Sequence, residues 1–224
     1  MKTFQKQFGP FKEQPYFSDS EIENTCSDEL SRMDLLPSQP TAIRIERFIE
    51  KRFKVTPSYE DLPAGVLGMT KFTKKGVAEI IIAKFLEDEG SQTAERRIRT
   101  TLAHEAGHGL LHAYLFALES DEEPLFGDRN EPNKPKVMCR ENSGQWWEFQ
   151  ANKAMGALLM PRKLTVEAAT PFLTKAGSMG IQTIPENQRQ LVERGLANTF
   201  DVNPIVAKIR LRVIFPANAH QMTL

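Results

Sequence analysis

The chain has 224 residues, 40% of them apolar and 26% charged, with 29 basic side chains balanced by 29 acidic ones. That composition belongs to a globular protein long enough for one real core and a small appendage, and it excludes a disordered or fibrous chain. A formal net charge of zero supplies no global field for nucleic acid, and no stretch approaches the ~20 apolar residues of a membrane span.

Two cysteines, Cys26 and Cys139, stand far apart and form no C-x-x-C pair, which argues against a disulfide framework. Residues 1–17 are polar, are broken by Pro10 and Pro15, and lack the apolar run of a secretion signal. A cytoplasmic protein is the expectation.

Residues 1–40 are rich in proline, serine and acids with little periodicity, and read as an irregular lead-in. Ile45, Phe48, Ile49 and Phe53 then recur at helical spacing, so 41–54 should hold an amphipathic packing helix. Leu62-Pro63-Ala64-Gly65 signals a turn. Strands are expected at 66–72 and 77–83, on either side of Lys74-Lys75-Gly76. The second strand is either an ordinary buried strand or an edge that pairs with an extended peptide.

A long helix is expected from about residue 93 to 118. Residues 119–145 read as a long loop with an acidic start, which is a solvated segment or, alternatively, a substrate-recognition element. Residues 146–160 should form another helix, stopped by Pro161. The rest is helical in flavour, with breaks at Gly177, Gly180, Pro185 and Gly195. Asn203 and Pro204 fit the cap and first position of a last helix. Helices mixed with a few strands predict the α+β class.

The long helix contains His104-Glu105-Ala106-Gly107-His108. Residues four apart share a helix face, so both imidazoles can point at one metal ion with Glu105 beside them. His-Glu-x-x-His is the zinc-hydrolase pattern, two nitrogen ligands and a carboxylate placed to act on the attacking water. A catalytic zinc takes three protein ligands. Glu148, opening the next helix, is the best third candidate, and His112 is the second. Three successive i, i+4 side chains spread along ~12 Å of helix axis, so His112 is better read as a group behind a ligand, a pocket wall or a packing residue. The metzincin pattern would place histidine at position 114, where this chain has Tyr114.

The run Leu102-Ala103-His104-Glu105-Ala106-Gly107-His108-Gly109-Leu110-Leu111-His112 is followed by Trp147-Glu148-Phe149-Gln150-Ala151-Asn152 and Leu158-Leu159-Met160-Pro161. Together these resemble the ImmA/IrrE family of bacterial zinc metallopeptidases. Leu62-Pro63 to Gly68 and Ile80-Ile81-Ile82 upstream, and Leu196-Ala197 through Phe200-Asp201-Val202-Asn203 to Arg210-Leu211 downstream, keep the family's order. The resemblance covers residues 41–215. After the lead-in of 1–40, it implies a zincin-like metallopeptidase domain over 41–165, with a small sheet and active-site helices. A small helical C-terminal segment over 166–224 would follow. It also implies His104, His108 and Glu148 as ligands of one Zn2+ ion per chain, with Glu105 as the general base.

The implied function is a cytoplasmic zinc endopeptidase whose protein or peptide substrate is a regulatory protein, such as a helix-turn-helix repressor or an antitoxin-like partner. His112 and Tyr114 are candidates to stabilise the oxyanion. Trp146 and Trp147 read as packing residues. Cys139 reads as a free or packed thiol, or alternatively as a thiolate that caps the zinc and holds the enzyme latent.

Two other functions compete. One is a catalytically silent zincin-fold module that binds a partner or senses a signal, which would have no need of Glu105. The other is a DNA-binding regulator acting through 184–215, where Arg189, Arg194, Lys208, Arg210 and Arg212 are basic. The neutral total charge and the lack of a recognition-helix pattern argue against direct nucleic-acid binding.

Overall fold

The computed structural model describes residues 2–5, 13–119, 136–139, 146–176 and 181–216. The acidic run of the 119–145 segment, apart from the backbone of Glu119, lies outside them, as does the side chain of Cys139. The described residues form an α+β structure with small sheets.

An antiparallel pair comes first, β1 (Lys2–Gln5) and β2 (Glu13–Tyr16). Helix α1 (Asp19–Arg32) follows directly. Ser18 caps it by accepting from the Glu21 amide, and the Glu21 carboxylate reaches back to the Ser18 amide at 2.8 Å. Ile22, Cys26 and Leu30, four residues apart on one face, are buried. This corrects the reading of residues 1–40 as irregular. A Ser-x-x-Glu capping box and an i, i+4, i+8 apolar stripe were present in the sequence, masked by the surrounding proline and serine. The Cys26 thiol donates to the Ala154 carbonyl, and burial pushes its pKa upward, which makes it an inert packing group.

Helix α2 (Ile45–Phe53) buries Ile45, Phe48 and Ile49, the expected face. Next come β3 (Ser58–Glu60), β4 (Gly68–Thr73) and β5 (Gly76–Ala83), then the short α3 (Lys84–Glu89). The main sheet has the order β3-β5-β4-β6, where β6 is Lys136–Cys139. β3 runs parallel to β5, while β4 is antiparallel to both β5 and β6. β5 is paired along its length by β4, and β3 takes its other edge at Ile81–Ala83. No edge is left for an extended peptide at those three residues, and Ile80, Ile81 and Ile82 are buried strand residues. β6 was not expected. It covers the outer edge of β4 and sets Met138 opposite Thr70.

Helix α4 (Gln92–Leu111) starts on Ser91, which accepts from the Ala94 amide at 3.1 Å. The expected single helix is interrupted at His112, the C-cap of α4, and α5 (Ala113–Glu119) follows directly. Every residue of α4 from Thr101 to Gly109 is buried, with the sheet on one side and α6 (Trp146–Leu159) on the other. Gly107 permits that approach: a Cβ there would lie 3.0 Å from both the Ala151 carbonyl oxygen and the Ala154 Cβ. The exposed start of α4 is held from outside, where Arg96 and Arg99 meet the Asp201 carboxylate at 3.0 and 3.6 Å.

After Pro161 come α7 (Arg162–Ala169), a 3-10 turn (Thr170–Phe172), and an antiparallel pair of β7 (Thr174–Ala176) and β8 (Ile181–Thr183). Helices α8 (Glu186–Thr199) and α9 (Pro204–Ile214) end the described chain. Asn203 caps α9 through the Ile205 amide, with Pro204 at the first position, as expected. One core cluster runs from Ile22 through α2, β5, α4 and α6 to Phe215, so all three segments read from the sequence share a single interior. No helix among the described residues is long and apolar enough to cross a membrane.

Candidate metal centre

His104 and His108 lie one turn apart on the buried face of α4, and Glu148 faces them from the first turn of α6. Their ligating atoms lie within 4.8 Å of one another, and all three residues are buried. His104 Nε2 is 3.1 Å from His108 Nε2 and 3.1 Å from Glu148 Oε2, while His108 Nε2 is 3.2 Å from Glu148 Oε1. A tetrahedral ion with ligand bonds of ~2.0–2.2 Å sets its ligand atoms roughly 3.3–3.6 Å apart. The observed edges come within a few tenths of an ångström of that. Glu148 Oε1 is also buried without a hydrogen bond of good geometry. Two imidazole nitrogens facing each other, with an orphaned carboxylate oxygen beside them, fit a divalent cation. The buried group can hold a metal ion.

The flanking contacts favour the same outcome. Glu148 and Asn152 are four apart on α6, and together they address both nitrogens of one ring. Asn152 Oδ1 lies 3.2 Å from His104 Nδ1. With that oxygen as acceptor and a cation at the centre, the ring would carry its proton on Nδ1 and present the Nε2 lone pair to the ion, whereas without a cation Nε2 can donate to Glu148 instead. Burial by itself would raise the Glu148 pKa, but hydrogen bonds from His104 and His108 overcome it and hold the carboxyl at about 2. Glu148 is therefore anionic at neutral pH.

That depressed value has a consequence for metal-free protein. The stability contributed by Glu148 is present above its ordinary pKa of 4.5 and is lost as pH falls toward about 2. Urea midpoints measured across this range should fall on acidification in the wild type, and Glu148→Gln should flatten that part of the profile.

Glu105, on the same buried stretch of α4, contacts β4. Its Oε2 accepts from the Thr70 hydroxyl of β4 at 2.7 Å. Its Oε1 is buried and has no hydrogen-bond partner among the described residues. Gly68 leaves the space for this carboxylate. A Cβ at Gly68 would lie 2.4 Å from Thr101 Cγ2 and 2.8 Å from Glu105 Oε1. Gly68→Ala should therefore cost ~1–3 kcal/mol by overpacking, seen as a lower urea midpoint with an unchanged slope.

His112 is not in the ligand group. Its Nδ1 lies 3.0 Å from His108 Nδ1 and its Nε2 3.0 Å from Gln150 Oε1, so both nitrogens are engaged and neither is left to meet an oxyanion. Burial, reinforced by the neighbouring His108, lowers its pKa to about 3 and keeps it neutral. Trp146 packs edge-on against His112, with ring centroids 5.5 Å apart, and against Trp147, in the packing role expected of both.

Thr70, Gly68, Gln150 and Asn152 were missed as site residues. For Asn152 the signal was its i+4 spacing from Glu148. The other three carried no local signal, because each matters only through a neighbour distant in sequence.

Of the basic residues at 184–215, Arg189 and Arg210 are buried. Arg189 donates to the Phe215 carbonyl at 2.8 Å, and Arg210 binds the Met160 carbonyl and the Glu23 carboxylate. The exposed residues of α9 include Ile205, Ile209 and Val213, an apolar stripe at four-residue spacing, with Arg212 exposed beside them. No protein-family model matches the chain, and a search of curated proteins found no match.

Proposed function

We propose that this chain is a zinc-dependent endopeptidase of the ImmA/IrrE kind, acting in the cytoplasm on a regulatory protein such as a helix-turn-helix repressor or an antitoxin-like partner. The observation that carries the proposal is Glu105. A buried carboxylate with one oxygen held by Thr70 and the other without a partner costs folding energy, and neither a structural ion site nor a binding module has a use for it. Beside a His104/His108/Glu148 centre it is the base that peptide hydrolysis needs.

Zinc at that centre supplies Lewis acidity, which polarises a scissile carbonyl and brings a water's pKa toward neutrality. Glu105 takes the water proton on Oε1 and passes it to the leaving amine. Thr70 keeps the carboxylate from rotating by holding Oε2. Asn152 fixes the His104 ring, and the anionic Glu148 offsets the charge of the cation.

The test is mass spectrometry of new protein N-termini in bacterial cells expressing wild type or Glu105→Gln at matched levels. A few discrete cuts confined to wild type support a selective peptidase and name its target. Identical N-termini, with zinc present in both proteins and under several stress conditions, would leave the catalytically silent module as the better reading.

A further inference from the structure

We propose that β6 is an internal occupant of the strand edge that an extended substrate needs, and that it must leave β4 before cleavage can begin. The centre is closed as it stands. His104, Glu105, His108 and Glu148 are 0%, 1%, 1% and 5% exposed, whereas a peptide carbonyl has to come within about 3–3.5 Å of the attacking oxygen. Some element of the fold must therefore move. Helices α4 and α6 carry the three ligand residues and cannot part without dismantling the centre. β4 holds Glu105 through Thr70 and is paired with β5. The N-terminal pair of β1 and β2 reaches the site through Gln150 and His112, on the Nδ1 side of His108, whereas His108 Nε2 faces Glu148. β6 is placed differently. It supplies no residue of the centre, yet Met138 is the register partner of Thr70, whose hydroxyl lies 2.7 Å from Glu105 Oε2.

β6 is a four-residue strand at the end of the sheet order, and among the described residues it pairs only with β4, over Met69–Phe72. With β6 gone, β4 presents a row of unpaired backbone amides and carbonyls running past Thr70 and Glu105. Such an edge takes up an extended peptide as an added strand, and main-chain hydrogen bonds supply the affinity whatever the sequence. A segment running antiparallel to β4 would make the bonds that β6 now makes. The occupant thus defines the partner: an extended stretch of polypeptide, not a helix or a small molecule. The two compete for one ladder. Because it belongs to the same chain, β6 competes at an effective concentration that no dilution lowers, and substrate affinity is reduced by the fraction of molecules in which β6 is away. Residues 136–139 thereby give the 119–145 segment a part in substrate access.

This inference rests on the peptidase reading, but its first test does not need cleavage. Alternate amides of β4 face β6 and β5. Hydrogen–deuterium exchange of the full wild-type chain, resolved by amide NMR, should show the β6-facing amides of Met69–Phe72 exchanging about 100-fold faster than the β5-facing ones, as release of one strand by local opening requires. Equal protection on the two edges would make β6 a permanent member of the sheet and overturn the inference.

A lock tests the link to cleavage. Met69 is the register partner of Cys139, and opposed residues of an antiparallel pair have Cα atoms ~4.5–5.5 Å apart, within the range of a disulfide. Met69→Cys, oxidised with glutathione disulfide, should tie β6 to β4, while the buried Cys26 does not react. In the tied protein the β6-facing amides should become as protected as the β5-facing ones. Cleavage of the cellular target should slow about tenfold or more, and a reductant should reverse both effects. Equal cleavage by the oxidised and reduced variant would overturn the inference, as would failure of the disulfide to form in the folded chain. Redox-dependent exchange in a protein whose wild type cleaves nothing would refute the peptidase reading and leave the release of β6 standing.

Discussion

Glu105→Gln should retain one zinc per chain and lose cleavage of the cellular target by about 10²–10⁴-fold, the usual worth of a positioned general base. The amide is isosteric and can still accept from Thr70 through its oxygen, so the fold around β4 should survive. Because Glu105 lies outside the ligand group of His104, His108 and Glu148, zinc content should not change. The measurement is the single-turnover cleavage rate, with metal content determined on the same samples. A variant that cleaves at the wild-type rate removes Glu105 as the base. One that loses zinc as well would mean that Glu105 helps to hold the ion.

The second large effect is on the metal itself. His108→Ala should lower zinc affinity by more than about 100-fold, beyond what loss of a flanking group produces. It should also abolish the thermal stabilisation that zinc gives. With free zinc at about 100 times its dissociation constant, the wild type gains ~2.7 kcal/mol, or roughly 5–11 °C in a chain of this size. Scanning calorimetry with and without chelator reads this directly. A zinc-dependent shift that persists in His108→Ala would place the ion elsewhere. Glu148→Gln should behave in the same direction, since an amide oxygen carries no charge to offset the cation.

Much of this centre was legible in the chain. The i, i+4 pair His104 and His108 needs only helix geometry to share a face, and the structure places it on α4 as expected. Glu148 needed a further step, because it sits on another helix and spacing along the chain cannot bring two helices together. What brings them together is small-residue packing, Gly107 against Ala151 and Ala154. The lead-in was misread for a different reason. Its capping box and apolar stripe are short-range signals, but composition averaged over forty residues hid them.

By itself, then, the sequence determined the helices, the direction in which His104 and His108 point, the caps of the last helix and the absence of a basic field. These are local properties, decided by periodicity, propensity and charge within a few residues. Only the tertiary structure decided that β3 and β4 flank β5, that the helix is interrupted at His112, that Thr70 restrains Glu105, and that β6 pairs with the outer edge of β4. Each of these depends on backbone and side-chain groups that meet only after the core has closed, and buried polar groups choose their partners from what is then within reach.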